Sequence, residues 1–272
     1  MEAKHLLITG STDGIGKLAA IQLAKQHHHI YLHGRNPNKL KNTIAEVKEA
    51  SQNSDVTGFV ADFANLNSVR QMAQEIQSEV PQLDVLINNA GIFQTSNPIT
   101  ESGIDVRLVV NYLAPYLLTK EVLPLLEKGT QSRIVNLSSA AQSPVFLEAL
   151  EGKTHLNSQQ AYAQSKLALT MWSFDLANTL SDISVIAVNP GSLLNTKMVQ
   201  EAYGQHWSSA DKGSSLLADL ATASEFEGIT GKYFDNDLGD PRGRFGKAYP
   251  DAYNQEKINQ LIEFTENLLT RL

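Results

Sequence analysis

The chain has 272 residues, no cysteine, and 22 basic against 29 acidic side chains, for a formal net charge of −7. Without cysteine there is no disulfide, thiolate zinc site, iron–sulfur cluster or thiol nucleophile. The acidic balance argues against a protein built to bind nucleic acid or anionic membrane, and a hydrophobic share of 42% supports a real core.

Short β-rich apolar runs alternate with longer helical patterns. Strands are predicted at Leu6–Thr9, Ile30–His33, Val56–Ala61, Val85–Asn88, Arg133–Leu137, Val185–Asn189 and Lys232–Phe234. Helices are predicted at Ile15–Lys25, Asn38–Ala50, Ser68–Val80, Ile104–Lys128, Ala161–Leu180 and Lys212–Ala221, with a last amphipathic stretch from Tyr253 to Leu269. Strand–helix–strand alternation at this spacing builds βαβ units. The expected fold is α/β: a doubly wound parallel sheet of about seven strands with helices on both faces, of the Rossmann type. Single α/β domains often reach about 250 residues. No Pro/Gly/Ser-rich linker interrupts the pattern, so 1–272 reads as one domain.

Two stretches fit the alternation poorly, Gln142–Gln160 and Phe234–Asp251. Loops after parallel strands lie at the carboxyl edge of the sheet, where ligands bind. Long ones there are substrate walls or lids, or else solvent-exposed padding. On this reading 142–160 and 192–210 are substrate-side segments and 235–272 is a C-terminal extension. The leading apolar run, Leu6-Leu7-Ile8, is too short for a signal peptide. No apolar stretch approaches the roughly 20 residues of a membrane span. A cytoplasmic protein with no membrane or nucleic-acid partner is expected.

The first strand runs into Thr9-Gly10-Ser11-Thr12-Asp13-Gly14-Ile15-Gly16. Glycines here allow a tight turn, close approach of the backbone to a pyrophosphate, and close packing of helix on strand. The following helix offers free N–H groups and the positive end of its dipole to phosphates. The second strand ends in His33-Gly34-Arg35-Asn36. A carboxylate there would hold a ribose 2′-hydroxyl, whereas an Arg accommodates a 2′-phosphate. With Arg35 and Asn36 in place of a carboxylate, and Lys39 nearby, NADP(H) is the preferred cofactor, with NAD(H) as the alternative. His27-His28-His29 has no supporting acidic or thiol ligand, and consecutive residues point in different directions, so no metal is expected.

Tyr162-Ala163-Gln164-Ser165-Lys166 places a phenol and an ammonium on one helix face at i and i+4. A free Tyr, with a pKa near about 10, transfers protons poorly at neutral pH. A nearby Lys⁺ favours the phenolate and lowers that pKa. Ser138-Ser139 ends the strand Arg133–Leu137, a place from which a hydroxyl can reach a substrate oxygen.

The ordered set is Thr9–Gly16, Asp62, Asn88-Asn89-Ala90-Gly91, Asn111, Ile134-Val135-Asn136-Leu137-Ser138-Ser139, Tyr162–Lys166 and Asn189-Pro190-Gly191. In this order, over Leu6 to about Phe234, the sequence resembles the short-chain dehydrogenase/reductase family. The resemblance implies that Tyr162 is the general acid in reduction and the base in oxidation. Lys166 would lower its pKa and bind the nicotinamide ribose. Ser139 would hold and polarise the substrate carbonyl, with Ser138 as the alternative. Asn111 would hold a water connecting Lys166 to solvent. Asp62 would meet the adenine, while Phe63, Asn89, Ala90 and Gly91 would line the cofactor cleft. Pro190 and Gly191 would sit by the nicotinamide. Thr196 would bind its carboxamide, although four residues, Ser192 to Asn195, separate it from Gly191, a longer spacing than the common pattern.

His33-Gly34-Arg35-Asn36, Asn111–Thr119, Gly231-Lys232-Tyr233-Phe234 and the long Ser139-to-Tyr162 interval are similar to the retinol-dehydrogenase and WW-domain-oxidoreductase branch. That branch often uses NADP(H), and relatives of it reduce C=C bonds as well as C=O. Many retinol dehydrogenases carry a membrane segment ahead of the fold; none is expected here, so the resemblance does not imply a lipid-embedded substrate. The resemblance also implies a homodimer or homotetramer built through Ile104–Lys128 and Ala161–Leu180. The expected activity is hydride transfer between NADP(H) and a carbonyl or alcohol. The alternative is a catalytically silent NADP(H)-sensing or scaffold protein with the same fold. Candidate substrate walls carry Phe93, Phe146, Leu147, Met198, Tyr203 and Trp207, which suit a partly apolar small molecule.

Overall fold

Backbone periodicity and capping chemistry set the elements seen in the computed structural model, which describes residues 3–239 and 241–272. The side chain of Tyr203, named above as a substrate wall, lies outside the described residues. In chain order they are β1 (His5–Ile8), α1 (Gly14–Ala24), β2 (His29–Gly34), α2 (Pro37–Ser51), β3 (Val56–Val60), α3 (Leu66–Glu79) and β4 (Val85–Asn88). Next come α4 (Val106–Leu108), a π-helical turn (Val109–Leu113), α5 (Ala114–Leu126), β5 (Arg133–Leu137), α6 (Leu147–Leu150), α7 (Ser158–Thr179) and β6 (Ser184–Asn189). The last are α8 (Lys197–Tyr203), α9 (Ala210–Thr222), β7 (Lys232–Asp235), β8 (Arg244–Gly246) and α10 (Gln255–Leu269).

The strands form a single sheet in the order β3-β2-β1-β4-β5-β6-β7-β8. The first seven are parallel, and β8 runs antiparallel to β7 through Tyr233↔Gly246, Phe234↔Phe245 and Asp235↔Arg244. The sheet thus has eight strands where about seven were expected. The added one falls in the poorly patterned stretch after Phe234. Three residues, Arg-Phe-Gly, are too few to display a period. They are held by packing instead: the Phe245 ring meets Phe234 edge-on at 5.1 Å and Phe226 at 6.1 Å.

Alternation along β1 sends Leu6 and Ile8 to one face of the sheet and Leu7 to the other. The first face is covered by α1, α2 and α9, through Ala19, Leu23, Leu40, Val47, Leu216 and Leu220. The second is covered by α3, α5, α7 and α10. Hydrogen-bonding side chains start the helices: Asn36 accepts from Lys39 N ahead of α2, and Asn157 with Gln160 makes a reciprocal capping box ahead of α7. The predicted helix Ile104–Lys128 is three stacked segments, and its π-turn carries Asn111. α10 lies along the outside of these helices. There Tyr112 OH meets Thr265 Oγ1 at 2.7 Å, and Tyr116 OH donates to Glu266 Oε1 at 2.6 Å. It therefore covers part of the helical face through which dimers or tetramers were expected. No helix among the described residues is long and apolar enough to cross a membrane.

The strand order reverses at β1, whose neighbours are β2 on one side and β4 on the other. Connections leaving β1 and β4 pass to opposite faces, which opens a crevice at the carboxyl edge. The glycine turn and Asn88-Asn89-Ala90-Gly91 flank that crevice.

Candidate active site

Thr9 joins the two sides of the crevice. Its Oγ1 accepts from Asn89 N and Ala90 N, both at 3.0 Å. Asn89 Nδ2 in turn donates to the carbonyls of Thr9 and Gly10 at 2.8 and 2.9 Å. Close approach explains two of the glycines. A Cβ on Gly10, whose φ is +62°, would stand 2.7 Å from Ala90 Cα; one on Gly16 would stand 2.3 Å from Asn89 Nδ2.

His33 supports the turn from below, a role that the sequence reading did not assign. Gly10 N donates to its Nδ1 at 3.0 Å, so the ring proton sits on Nε2 and is donated to Ala61 O, also at 3.0 Å. Burial lowers the His33 pKa to about 4, so the ring is neutral at physiological pH. It also stacks on Phe63 at 4.2 Å. His33 therefore ties the glycine turn to the end of β3, where Asp62 and Phe63 begin.

Most of the sequence-predicted cofactor residues border one cleft of about 1170 Å³. Gly10, Thr12, Asp13, Gly14, Ile15, Gly16, Arg35, Asp62, Phe63, Asn89, Ala90, Gly91, Pro190, Gly191 and Thr196 all line it. Two do not. Ser11 is fully buried, and its Oγ accepts from His33 N at 2.9 Å. Asn36 spends its carboxamide on the cap of α2. Lys39 does line the cleft, but its ammonium is 2.7 Å from Asp13 Oδ2. That contact holds the Asp13 carboxyl below its ordinary value. Arg35 is exposed just past the end of β2 and borders the same cleft as this pair. On the far side, Asp237 accepts from Ser192 N, Ser192 Oγ and Asn189 Nδ2 at 2.6–2.9 Å, anchoring the loop after β6. Thr196 then caps α8, and its methyl would be 3.7 Å from a Cβ on Gly14.

These residues fit a dinucleotide. The N-terminus of α1 opens on the cleft between the end of β2, with its guanidinium, and the ends of β5 and α7, with Tyr162 and Lys166. Tight glycines leave the turn without side chains where a phosphate would approach.

At that second end, α7 carries Tyr162 and Lys166 one turn apart. Lys166 Nζ donates to Leu137 O at 2.7 Å and lies 5.6 Å from the centre of the Tyr162 ring. The Lys166 side chain is 4% exposed, and burial lowers its pKa to about 8. Phe93 packs edge-on against Tyr162 at 5.0 Å. Asn111 clamps the β4–α4 connection: Oδ1 accepts from Ile92 N at 2.8 Å, and Nδ2 donates to Ile92 O at 3.1 Å and Ser165 Oγ at 3.0 Å. The two serines separate clearly. Ser138 is buried and bonded to Thr170 Oγ1 at 2.6 Å and to Lys166 O at 3.3 Å. Ser139 lines the cleft, where its Oγ accepts from Ala141 N at 3.1 Å and donates to no group among the described residues.

Arg107 is another residue that motif reading passed over. It is 2% exposed and paired with Asp105 at 2.8 Å. Its Nε donates to Phe93 O at 2.6 Å and one terminal nitrogen to Ser158 Oγ at 2.7 Å. One guanidinium thus joins the Phe93 loop to the first turn of α7, four residues before Tyr162.

A glycine turn at a sheet's switch point, facing a Tyr–Lys pair across one cleft, defines a nucleotide-dependent oxidoreductase of the Rossmann class. The chain belongs to the short chain dehydrogenase family, whose pattern matches residues 4–207. It is 33% identical to human retinol dehydrogenase 13 over 252 residues, covering 85% of this chain and 76% of that protein. It is 30% identical to human polyprenol dehydrogenase over 276 residues, covering 94% and 82%. A short chain dehydrogenase from Escherichia coli solved with NADPH superimposes with a TM-score of 0.72 at 27% identity, covering 86% of this chain and 97% of that one. These relatives place the chain in the retinol dehydrogenase branch.

Proposed function

We propose that this oxidoreductase transfers hydride between NADP(H) and a partly apolar carbonyl or alcohol, with Tyr162 as general acid in reduction and base in oxidation. The observation that carries the reading is the buried Lys166 ammonium 5.6 Å from the Tyr162 ring. A cation there favours the phenolate and brings the phenol toward a working pKa. NADPH, when bound, supplies the hydride. Ser139 donates its hydroxyl proton to the substrate oxygen and stabilises the negative charge that develops there. Tyr162 delivers the proton to that oxygen, and Lys166 holds the phenolate left behind. Phe93, Ile99, Leu194, Met198 and Val199 give the substrate side of the cleft its apolar lining and exclude water from the reacting atoms.

NADP(H) rather than NAD(H) is favoured by Arg35 at the end of β2 and by the NADPH found with the Escherichia coli relative. The names of the human relatives point to long apolar alcohols and their carbonyl partners as the first compounds to try. The test is NADPH oxidation with all-trans-retinal, 4-nitrobenzaldehyde and menadione, by the unsubstituted chain and by Tyr162→Phe. Loss of the proton donor should cost about 10²–10⁴-fold in kcat and leave the NADPH dissociation constant nearly unchanged. Turnover by Tyr162→Phe at the unsubstituted rate overturns the assignment. Tight NADPH binding with no turnover on any of the three favours the silent sensor.

A further inference from the structure

Ser139 owes its placement to two side chains from outside the cofactor cleft. Its carbonyl oxygen accepts from Tyr233 OH at 3.0 Å and from Gln142 Nε2 at 2.8 Å. A carbonyl has two lone pairs, and both are taken. Tyr233 lies on β7, 94 residues further along the chain, and is 3% exposed. Gln142 is itself fixed, since its Oε1 accepts from Tyr249 N at 3.1 Å in the C-terminal extension. Neither Tyr233 nor Gln142 lines the large cleft; they border a smaller one of about 260 Å³ behind it, with Lys247 and Tyr249.

We infer that Tyr233 and Gln142 are positioning residues that lock the Ser139 peptide from behind, so that the Ser139 hydroxyl faces the substrate oxygen. The inference rests on the proposed role of Ser139. Ser139 lies two residues past Leu137, the last residue of β5, where the sheet ladder no longer fixes the backbone. Rotation about the Ser139 Cα–C bond would change the angle between this carbonyl and the side chain and carry Ala141 N away from Oγ. Two donors on one carbonyl oppose that rotation. The Tyr233 phenol remains a donor throughout the accessible pH range, because burial raises its pKa. Gln142 also ties the position of Ser139 to residues 248–249, so the C-terminal extension contributes to the site through it.

The experiment is a double-mutant cycle on the full chain with NADPH and 4-nitrobenzaldehyde, using Tyr233→Phe, Ser139→Ala and the pair. Tyr233→Phe keeps the buried ring and removes only the hydroxyl. It should lower kcat by about three- to ten-fold, the worth of one hydrogen bond, with KM for NADPH and Tm little changed. On a Ser139→Ala background it should cost less than about twofold, because no hydroxyl remains to be aimed. Gln142→Leu should behave in the same way. Amide hydrogen exchange of the ligand-free chain gives a readout independent of turnover: Tyr233→Phe should speed exchange at Ala141. Equal losses in both backgrounds, or unchanged Ala141 exchange, overturn the inference while leaving Ser139 its role. A Ser139→Ala variant as fast as the unsubstituted chain overturns the role of Ser139 and this inference with it.

Discussion

The Lys166 ammonium lies 5.6 Å from the centre of the Tyr162 ring while it donates to Leu137 O at 2.7 Å. The carbonyl at the end of β5 therefore holds the charge in place before any ligand arrives. Burying that charge is costly, and the cost appears as the lowered pKa of Lys166.

That cost has a pH signature. Burial lowers the Lys166 pKa to about 8 in the folded chain, below the ordinary 10.5 of a free lysine. Between those values the unfolded chain binds the proton and the folded chain does not, so stability rises with pH. A shift of this size corresponds to about 3 kcal/mol across the window. Urea midpoints should increase from pH 8 to 9.5, below the range where tyrosines ionise. Lys166→Met should flatten that rise, and an equally steep rise in the variant would refute the assignment.

His33 gives the matching effect on the acid side. Its folded pKa of about 4 lies below the ordinary 6.5. The stability it contributes is complete above pH 6.5 and is lost as pH falls through 4, since the unfolded chain takes up the proton first. Protonation of Nδ1 also removes the acceptor for Gly10 N. Stability should fall between pH 6.5 and 4, whereas NADPH affinity of the folded chain should hold until pH approaches 4, where Nδ1 itself takes up the proton. His33→Gln should bind NADPH more weakly at pH 7 and show a flatter acid limb by isothermal titration.

On the proposed reading of NADP(H) as cofactor, Asp13 would compete with the 2′-phosphate for Lys39. Its carboxylate holds the Lys39 ammonium at 2.7 Å and adds negative charge to the cleft that Arg35 also borders. Asp13→Asn keeps an acceptor for Gly14 N, frees Lys39 and removes that charge. Preference for NADPH over NADH should rise by about three- to ten-fold, as expected for a partly solvated charge. Arg35→Ala should reduce the same ratio. Dissociation constants for the two nucleotides that move together in both variants would defeat this account.

Removing Arg107 tests the link between the Phe93 loop and α7. Arg107→Met leaves the Asp105 carboxylate, 8% exposed, without its partner. Breaking such a buried pair costs about 3–5 kcal/mol. The double variant Arg107→Met/Asp105→Leu should recover a good part of that in urea unfolding. No recovery would mean that the bonds to Phe93 O and Ser158 Oγ, rather than the ion pair, hold this corner.

Much of the site was legible from spacing. The glycine turn, Arg35, Tyr162 and Lys166 were named from residue types and spacing, Asp62, the Asn89–Gly91 run and Ser139 rather than Ser138 from the family resemblance, and all line the cleft. Ser11 and Asn36 belonged to the same strings, yet both turn to structural bonds. Nothing local distinguishes a Ser that faces a ligand from one that caps a neighbouring strand. β8 escaped notice because three residues carry no period.

Residue order alone specifies the alternation of strands and helices, the place of the tight turn and the i, i+4 pairing of Tyr162 with Lys166. Each is a local property: side-chain period, backbone freedom at glycine, and helix geometry act over a few residues. The folded arrangement adds that His33 carries Gly10, that Arg107 carries Phe93 and that Tyr233 holds Ser139. Those residues are 23, 14 and 94 positions apart. A buried donor must find an acceptor wherever the fold supplies one, and that choice is made by packing across the sheet, which no local pattern records.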